Sequence, residues 1–432
     1  MIAVVGGGIT GLAVGHALRR TETDVVVFEA EERPGGVIRS AEIDGRVLDW
    51  GPQRTRLTAG VSPLIHELGL DDQVVTAPDG LKLFVFRDGR LREVPFSLGA
   101  FATSDIVGLR GKLRMLLEPL TPGAEPDERV STYFERKLGR EVYETIVAPL
   151  YGGLYASDPA DMEVGLSLIH VLRQFGIGRS LLWPLARRGG RIAPPPACSF
   201  RDGMQTLPDA LARSLGARVR FGQPVRSLER IGDRWRLQLG DGSERHRVDV
   251  TSVVLAVPAP VAGELLSTIA PRAASVIRGL RYNPLGVVHL DAETNLTGLG
   301  FQVSFTERHR ALRGVTFNHS LFGRTNLYTA YLGGALRPDV AELPEDDLAR
   351  LAVKEFGETT GFDAEPLAAE QEWVPAWDVT WRGLADVSLP AGLHLGGNWW
   401  SRPGLPGRIA EAERLASALS EARPEPRSGR DT

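Results

Sequence analysis

The first thirty residues carry the clearest pattern of apolar and polar positions in the chain. The apolar run Ile2–Val5 precedes a glycine-rich segment, and a second apolar run, Val25–Phe28, ends at an acid, Glu29. Between the two runs, apolar residues recur at the spacing of one helix face: Leu12, Ala13, Ala17 and Leu18. The pattern predicts two buried strands joined by a helix, which is a typical beginning of an α/β fold.

Glycines follow the first strand at the spacing of a dinucleotide-binding turn. Gly6, Gly8 and Gly11 fit G-x-G-x-x-G, whose glycines permit a tight turn, close approach to a pyrophosphate and close packing of helix on strand. Glu29 stands 18 residues after Gly11, where a carboxylate binds ribose hydroxyls and repels a 2′-phosphate. The segment predicts a bound adenine dinucleotide, without deciding between NAD and FAD.

Later patterns predict further strands, turns and a last helix. The paired glycines Gly35 and Gly36 indicate another close approach of backbone to a phosphate or ribose, or a simple turn. Two apolar runs joined by Asp88-Gly89 predict a β-hairpin over 82–94. Val253–Pro258 is predicted to be a buried strand, and 283–335 to be rich in strands. A final helix carries Ile409 and Leu419 on its apolar face.

Between about 96 and 200 the pattern changes to helices. One apolar stripe consists of Leu109, Leu113, Leu116, Leu117 and Leu120, with Arg110, Lys112 and Arg114 on the remaining surface. Arg179–Arg191 has a similar mixture of apolar and basic residues. Two interpretations stay open: an amphipathic helix packed on a core, which we favour, and a basic amphipathic surface on anionic lipid. Three prolines, 194–196, predict a hinge.

Composition excludes several classes of function. The formal net charge of −4 gives no support for a nucleic-acid surface. The single cysteine, Cys198, fits a reducing compartment, and the sequence has no Cys/His cluster with metal spacing. The nucleotide strand begins at residue 2, and no apolar run reaches the ~18 residues that span a bilayer. We expect a cytoplasmic protein with a disordered tail, 423–432, and leave open peripheral contact with the inner face of the cell membrane.

Beyond these patterns, the chain shows a family resemblance. Its first two strands and Glu29, followed by Arg33-Pro34-Gly35-Gly36, resemble the flavin-dependent amine oxidase superfamily, whose nucleotide is FAD. Five further blocks are similar to the protoporphyrinogen/coproporphyrinogen oxidase family. In order they are LLEPL (116–120), LYGGLYASDP (150–159), FRDGMQTLP (200–208), YLGG (331–334), and GN (397–398) with LPGRI (405–409). The resemblance covers about residues 1 to 420.

The resemblance implies a non-covalent FAD and the residues that hold it. They are Gly6, Gly8, Ile9, Thr10, Gly11, Glu29, Ala30, Arg33, Gly35, Gly36, Val37, Gly51, Pro52, Val225, Ala256, Gly397, Asn398, Leu405, Pro406 and Ile409. Pro406 and Gly407 precede the last helix. Because a helix N-terminus is the positive end of the helix dipole, it can stabilise the negative charge that grows on a flavin during reduction.

The implied reaction is the oxidation of protoporphyrinogen IX to protoporphyrin IX, in heme biosynthesis, by dioxygen. Three hydride transfers to flavin N5 are expected, each followed by reoxidation and release of hydrogen peroxide. Coproporphyrinogen III is the alternative substrate, and another oxidase or desaturase of the superfamily is a further alternative. A flavin-free binding protein on the same fold is a third class. Since the flavin carries the chemistry, we expect no catalytic acid or base; a homodimer stays open.

The substrate contacts are less directly implied. Leu83 stands where many family members carry an arginine that holds a propionate, so Lys82 is the nearest cation. Positions that line the substrate pocket in relatives correspond to Gly153, Gln302 and Tyr331. Lys82, Gly153, Gln302 and Tyr331 are therefore the predicted substrate residues.

Three other features bear on the alternatives. The strand predicted over 282–288 lacks the lysine that typical amine oxidases place near flavin N5, which disfavours that activity. Cys198 lies far from the last motif, which excludes a covalent flavin on a C-terminal cysteine. Trp399 and Trp400 replace a glycine-rich run of the family, and either narrow the site or pack the core.

The expected fold is α/β. A doubly wound, Rossmann-like, FAD-binding domain of the p-hydroxybenzoate-hydroxylase type is predicted from 1–75, 203–262 and 385–422. A mixed-sheet substrate domain is predicted from 76–95 and 263–384. The helical, membrane-facing or core-packed domain covers 96–202, and the substrate is expected between the helical and substrate domains, over the flavin.

Overall fold

A computed structural model of the chain describes residues 1–187, 195–240 and 246–421. The predicted tail 423–432, the turn at Asp241-Gly242, the proline Pro194 and the basic residues Arg188 and Arg191 lie outside the described residues. The predictions made for them stay predictions.

A five-stranded parallel sheet is the first large element of the fold and contains the first two strands of the chain. In sheet order its strands are β10 (Val219–Arg220), β2 (Val25–Phe28), β1 (Ile2–Val5), β14 (Ser252–Leu255) and β20 (Leu393–Leu395). Runs of β-branched residues buried on both faces are typical of such strands. The helices α1 (Ile9–Arg20), α10 (Thr206–Leu215) and α15 (Leu405–Glu421) pack in one core cluster with this sheet. Because the five strands are parallel, their carboxyl ends lie on the same side of the sheet, although they come from distant parts of the chain.

A seven-stranded mixed sheet is the second large element. Its order is β19 (Glu365–Pro375), β15 (Tyr282–Asp291), β18 (Leu327–Gly333), β17 (Leu312–Phe317), β16 (Gly300–Val303), β7 (Leu83–Arg87) and β8 (Arg90–Glu93). β16 and β7 are parallel, and the other neighbours are antiparallel. The hairpin predicted around Asp88-Gly89 is therefore confirmed and forms one edge. The opposite edge, β19, was not predicted from the sequence.

Smaller sheets connect the two. They are β11 (Val225–Ile231), β12 (Arg234–Leu239) and β13 (His246–Val250); β3 (Arg39–Ile43) and β4 (Arg46–Trp50); and β5 (Thr55–Arg56), β9 (Ala197–Phe200) and β6 (Val74–Thr76). The other α-helices are α2 (Val61–Glu67), α3 (Leu98–Thr103), α4 (Leu109–Met115), α5 (Val130–Leu138), α6 (Arg140–Val142), α7 (Ala148–Tyr155), α8 (Ile169–Gln174), α9 (Leu182–Arg187), α11 (Ala259–Leu265), α12 (Pro271–Arg278), α13 (Asn318–Phe322) and α14 (Glu345–Thr360).

The helical segment corrects one expectation. The leucines that we expected to pack on a core point outward instead: Leu109, Leu113, Leu116, Leu117 and Leu120 are all exposed. The inward face of this segment carries Gly111, Met115 and Glu118. Glu118 and Lys137 are both fully buried and form an ion pair of 2.6 Å. Removing one partner would leave a buried charge unpaired, so this pair fixes the segment against α5.

The observed combination of a parallel sheet, a mixed sheet and flanking helices confirms the predicted α/β class. The division into domains stays a prediction. Within the described ranges, no helix combines the length and the apolar character needed to cross a membrane.

Candidate flavin and substrate site

The glycine turn between β1 and α1 is held by close backbone packing. Gly6 has φ +105°, which an L side chain rarely adopts, and a Cβ there would lie 2.7 Å from the Ala256 carbonyl oxygen. A Cβ on Gly11 would overlap the Gly6 carbonyl oxygen. These two glycines are therefore required by the fold itself. They hold the start of α1, with Ile9 and Thr10, against the strand ends.

Gly8 differs from Gly6 and Gly11 because the space beside it is open. A Cβ on Gly8 would meet only the Gly35 carbonyl oxygen, at 4.0 Å. Gly8 and Gly35 form an isolated parallel bridge, and the Gly35 amide donates to the Gly7 carbonyl at 2.9 Å. The structure thus brings the two predicted glycine segments together. They border a cradle, at the N-terminus of α1, that a side chain would fill and a pyrophosphate fits.

Glu29 lies buried at the end of β2 and orders the turn. Its Oε2 accepts from the Gly7 amide at 2.5 Å, and its Oε1 accepts from the Glu31 amide at 2.9 Å. A carboxylate has about four acceptor positions, so two remain for ligand hydroxyls. Ala30 follows it and is exposed. This placement suits the ribose contact that the sequence predicts.

Arg33 braces the second glycine segment. Its guanidinium donates to the carbonyl oxygens of Gly36, at 2.7 Å, and Ile38, at 3.1 Å. Exposed Val37 lies between these two residues. Arg33 thereby fixes the turn through Gly36, and its predicted contact with FAD stays a prediction.

Gly51 joins this turn to the mixed sheet. A Cβ on Gly51 would overlap the Val37 carbonyl oxygen, and the Gly51 amide donates to Glu372 Oε1 at 2.7 Å. Glu372 is a residue of β19, and its burial raises the pKa of its carboxyl group. Pro52 follows, half-buried. The predicted flavin residues of this turn therefore lie against a strand that the sequence did not reveal.

The last sequence motif, which begins at Gly397, lies near the first glycine turn, through the segment that follows β14. The Ala256 amide donates to the Val5 carbonyl at 2.8 Å, which extends the β1–β14 pairing to the glycine turn. Gly397 follows β20, and a Cβ there would lie 2.6 Å from the Val257 carbonyl oxygen. Asn398 Oδ1 accepts from the Tyr282 hydroxyl at 3.4 Å. The structure therefore places Gly397 and Asn398 beside the segment that follows β14.

The remaining predicted flavin residues lie on β11 and α15. Val225 begins β11 and is buried. Leu405 and Ile409 are buried in the core beside α1, and Pro406 is half-buried in the first turn of α15. In that turn Pro406 has no N–H group, and the Gly407 and Arg408 amides donate to the Gly404 carbonyl at 3.1 and 3.2 Å. The predicted contact of this helix N-terminus with the flavin stays a prediction.

Three of the four predicted substrate residues come together. Gln302 on β16 pairs with Gly314, and Gly314 pairs with Tyr331 on β18. A Cβ on Gly153 of α7 would lie 2.7 Å from Gln302 Oε1, so the helical segment approaches the sheet there. Lys82 is not part of this group. It is exposed, and its Nζ forms an ion pair of 2.7 Å with Glu93 on the hairpin.

One charged residue that was not predicted from the sequence acts electrostatically on Tyr331. Arg54 follows Gly51-Pro52-Gln53, and its positive charge is one of the influences that lower the pKa of Tyr331. Burial has the larger effect and raises that pKa to about 12, so the phenol is neutral at ordinary pH. The signal available in the sequence was the position of Arg54, directly after the Gly51–Pro52 turn.

Comparison with known proteins assigns the chain to a family. The model of the flavin containing amine oxidoreductases matches residues 9–412. The chain belongs to this family. It is 27% identical to the chloroplastic protoporphyrinogen oxidase of Nicotiana tabacum, over 96% of this chain and 85% of that protein. It is 30% identical to the protoporphyrinogen oxidase of Homo sapiens, over 74% of this chain and 73% of that protein.

Solved structures support the fold assignment. A protein from Exiguobacterium sp. 255-15, provisionally assigned as a protoporphyrinogen oxidase, superposes with a TM-score of 0.79 at 20% identity, covering 98% of this chain and 99% of that one. Cyclohexylamine oxidase from Brevibacterium oxydans IH-35A superposes with a TM-score of 0.69 at 15% identity, covering 97% and 98%. The family's fold is thus shared by proteins that are named for different activities.

Family membership and the geometry agree on the cofactor. The chain is an oxidoreductase that uses FAD, and the cradle at Gly8 and Gly35 fits the pyrophosphate. β15, which includes residues 282–288, contains no lysine, unlike the corresponding strand of typical amine oxidases. In the described part of the chain, no cluster of His, Cys, Asp and Glu is suited to a metal ion.

The two tryptophans near the last motif pack the interior. Trp399 is fully buried, and its Nε1 donates to the Val257 carbonyl at 3.0 Å. The Trp399 carbonyl accepts from Trp381 Nε1 at 2.9 Å. The rings of Trp399 and Trp400 meet edge to face, with their centres 6.0 Å apart. Of the two interpretations left open, core packing holds for Trp399.

Proposed function

We propose that this protein is an FAD-dependent oxidase that dehydrogenates a porphyrinogen, with protoporphyrinogen IX as the substrate and dioxygen as the acceptor. The observation that carries the proposal is the meeting of Gly153, Gln302 and Tyr331 between α7 and the mixed sheet. Relatives that extend over most of the chain are named protoporphyrinogen oxidases. Coproporphyrinogen III is the alternative substrate, since it differs in the number of its carboxylates.

The cofactor contacts follow from the cradle. Gly8 and Gly36 leave room for the pyrophosphate, and Glu29 offers acceptors to the ribose. We assign the flavin end to the side of Gly397 and the first turn of α15. When bound, FAD supplies the hydride acceptor and the reaction with dioxygen. The overall change removes six hydrogen atoms from the porphyrinogen and reduces three dioxygen molecules to three hydrogen peroxide molecules.

The chain's own residues orient the substrate and shape the site. Tyr331 is neutral, because its burial raises its pKa, so it does not accept a proton at ordinary pH. Glu372 is engaged by the Gly51 amide, and burial raises its pKa as well. Binding and exclusion of water are therefore the roles we assign to the protein, in keeping with the expectation that no acid–base residue is needed.

The experiment is an oxidation assay with purified, FAD-loaded protein under air. We expect porphyrin fluorescence to grow with protoporphyrinogen IX, and peroxide to form at three molecules per porphyrin. A panel containing coproporphyrinogen III, primary amines and a carotenoid precursor separates the alternatives within the family. Turnover of an amine or a desaturase substrate, with no porphyrin formed, would contradict the proposal.

We also propose that the exposed leucine surface lies on an anionic membrane. We define this surface as Leu109, Leu113, Leu116, Leu117 and Leu120, with Trp183 of α9. Glu118 accepts from the Ser180 hydroxyl at 2.6 Å and the Leu181 amide at 2.9 Å, which holds the start of α9 beside the leucines.

Charge complementarity favours lipid as the occupant of this surface. Exposed Arg110 flanks the leucines, and the Arg187 guanidinium lies 5.1 Å from the centre of the Trp183 ring. Aromatic and basic side chains beside an apolar patch are typical of proteins that lie at a membrane interface. The leucines would then enter the headgroup region while the cations contact anionic lipids.

A further inference from the structure

A pocket of about 290 Å³ lies apart from the flavin and substrate site. It is bordered by the C-terminal parts of α1 and α10 and by the end of α2. Ile9, at the start of α1, borders the glycine cradle, whereas the pocket begins at His16, roughly 10 Å further along the helix axis. None of the predicted cofactor or substrate residues lines it. Its side chains therefore need an explanation of their own.

The inner wall of the pocket is a hydrogen-bonded group of three side chains. His16 is buried, with Nδ1 2.9 Å from the Ser214 hydroxyl and Nε2 3.1 Å from Glu67 Oε1. The other oxygen of this acid, Oε2, accepts from Arg20 Nη1 at 3.1 Å. Glu67 is therefore engaged on both of its oxygens and is not the partner of the other cations of the pocket.

Two exposed guanidinium groups of the pocket wall have no protein partner. In the part of the chain that the structure describes, neither Arg19 nor Arg213 forms an ion pair or a side-chain hydrogen bond. Arg20, the next residue on α1, differs because Glu67 and Glu413 both accept from it. Both unpaired arginines lie in the last turn of a helix, where the helix dipole favours a cation. The dipole stabilises their charge but leaves the five N–H donors of each group unused.

The pocket combines these cations with an apolar surface. Arg19 and Arg213 stand on two helices that pack against each other, so one ligand can meet both. A phosphate monoester carries nearly two negative charges at pH 7, and its oxygens match the guanidinium fork. Leu68 and Ala210 add apolar surface beside them. Small-molecule sites begin at roughly 300 Å³, so the volume suits a phosphate with a small organic group.

We propose that this pocket binds a phosphate monoester of a small organic molecule. Arg19 and Arg213 hold the phosphate, and Leu68 packs against the organic group. The inference goes beyond the proposed function, since neither the oxidation nor the flavin requires such a ligand. The ligand joins α1, α2 and α10, which meet only in the folded chain. It therefore binds the folded protein and raises its stability by mass action.

The test titrates the FAD-saturated protein with phenyl phosphate, by calorimetry in a phosphate-free buffer at pH 7.5. FAD saturation keeps the cofactor cradle occupied. We expect one site with a dissociation constant below about 1 mM. Arg19→Gln and Arg213→Gln should each raise this constant about tenfold to hundredfold, the effect of losing a charge-assisted hydrogen bond. Arg218→Gln is the matched control, because Arg218 is an exposed arginine just beyond the end of α10 that does not line the pocket.

A charge-neutral variant separates the pocket from general surface attraction. Leu68→Ala should weaken phenyl phosphate about threefold or more and leave inorganic phosphate unchanged, because only the organic group contacts the leucine. Phenyl phosphate should also raise Tm of the wild type more than that of Arg19→Gln.

Several results would overturn the site. They are no binding to the wild type below about 10 mM, equal affinity in the wild type and both arginine variants, or the same loss in Arg218→Gln. Wild-type affinity of Leu68→Ala for phenyl phosphate would place the ligand outside the pocket and overturn it too. Thermal unfolding without ligand checks that each variant is folded. Should one arginine variant be unfolded, the other decides the comparison.

Discussion

Glu29 and Gly7 are joined by a hydrogen bond of 2.5 Å, from the Gly7 amide to the Glu29 carboxylate. The bond links the end of β2 to the glycine turn that follows β1. The same carboxylate holds the Glu31 amide, so its position is fixed from both sides. The acid therefore orders the loop before any ligand arrives, and presents its remaining acceptors in a set direction.

Replacement of Glu29 by glutamine should weaken FAD binding. The amide keeps the size of the carboxylate but loses its charge and part of its acceptor capacity, so we expect the dissociation constant for FAD to rise about tenfold. Titration of apoprotein with FAD, followed by flavin fluorescence, measures it. Glu31→Gln is the control, since Glu31 is exposed and its carboxylate faces Arg33. Equal affinity in Glu29→Gln and wild type would mean that Glu29 serves the loop alone.

Gly8 and Gly11 should respond differently to substitution. A side chain at Gly8 enters open space, so Gly8→Val should keep the apoprotein's stability and lose the flavin. A side chain at Gly11 meets the Gly6 carbonyl, so Gly11→Ala should lower the free energy of unfolding of the apoprotein by about 2 kcal/mol or more. Flavin absorbance and urea unfolding measure the two effects. A Gly8→Val protein that stays yellow would show that the pyrophosphate lies elsewhere.

How far the sequence predicted this molecule depends on how local each feature is. The β1–α1–β2 unit was predictable because its apolar spacing, glycines and terminal acid all lie within thirty residues. β19 was missed because an edge strand with the sequence EPLAAEQEWVP has one β-branched residue, Val374, and no regular alternation. Because β19 was not predicted, Glu372, which accepts a hydrogen bond from the Gly51 amide, was not predicted to lie near the site either.

The leucine surface and Arg54 show a second kind of limit. Periodicity identified the apolar side of 109–120, but it cannot say whether that side meets a core or the outside. Arg54 follows the Gly51–Pro52 segment, and Tyr331, whose pKa its charge influences, belongs to β18, far along the chain. A cation's surroundings depend on which distant elements the fold brings to it. The local sequence does not contain that information.

Acid should destabilise the protein partly through His289. The imidazole is fully buried, with Nδ1 3.0 Å from the Thr329 hydroxyl, and burial and then Arg324 lower its pKa from 6.5 to about 3. Between these values the unfolded chain binds a proton that the folded chain does not. The free energy of unfolding therefore falls as the pH drops from 6.5 towards 3.

We expect His289→Gln to remove on the order of 3 kcal/mol of this acid-dependent loss. Urea unfolding of the FAD-saturated protein, at pH values above and within the window, measures the difference. His66→Gln is the control because His66 is exposed on α2. An unchanged acid dependence in His289→Gln would remove the buried histidine from the account, and the same change in His66→Gln would point to a general effect of losing a histidine.

The leucine surface can be tested without altering the site. In the double variant Leu116→Gln and Leu120→Gln the charge is unchanged, but about 1.5–3 kcal/mol of apolar transfer energy is lost at each position that enters the lipid. We expect co-sedimentation with vesicles containing anionic lipid to fall at least tenfold, while porphyrinogen oxidation in detergent stays at the wild-type level. Val261→Gln is the control, because Val261 is an exposed apolar residue on α11, outside the leucine surface.

Added salt should weaken membrane binding of the wild type, because it screens the attraction between the basic side chains and anionic lipid. Equal sedimentation of the double variant and wild type would mean that these leucines do not enter a membrane, and a fall in Val261→Gln as well would mean that binding is not confined to them.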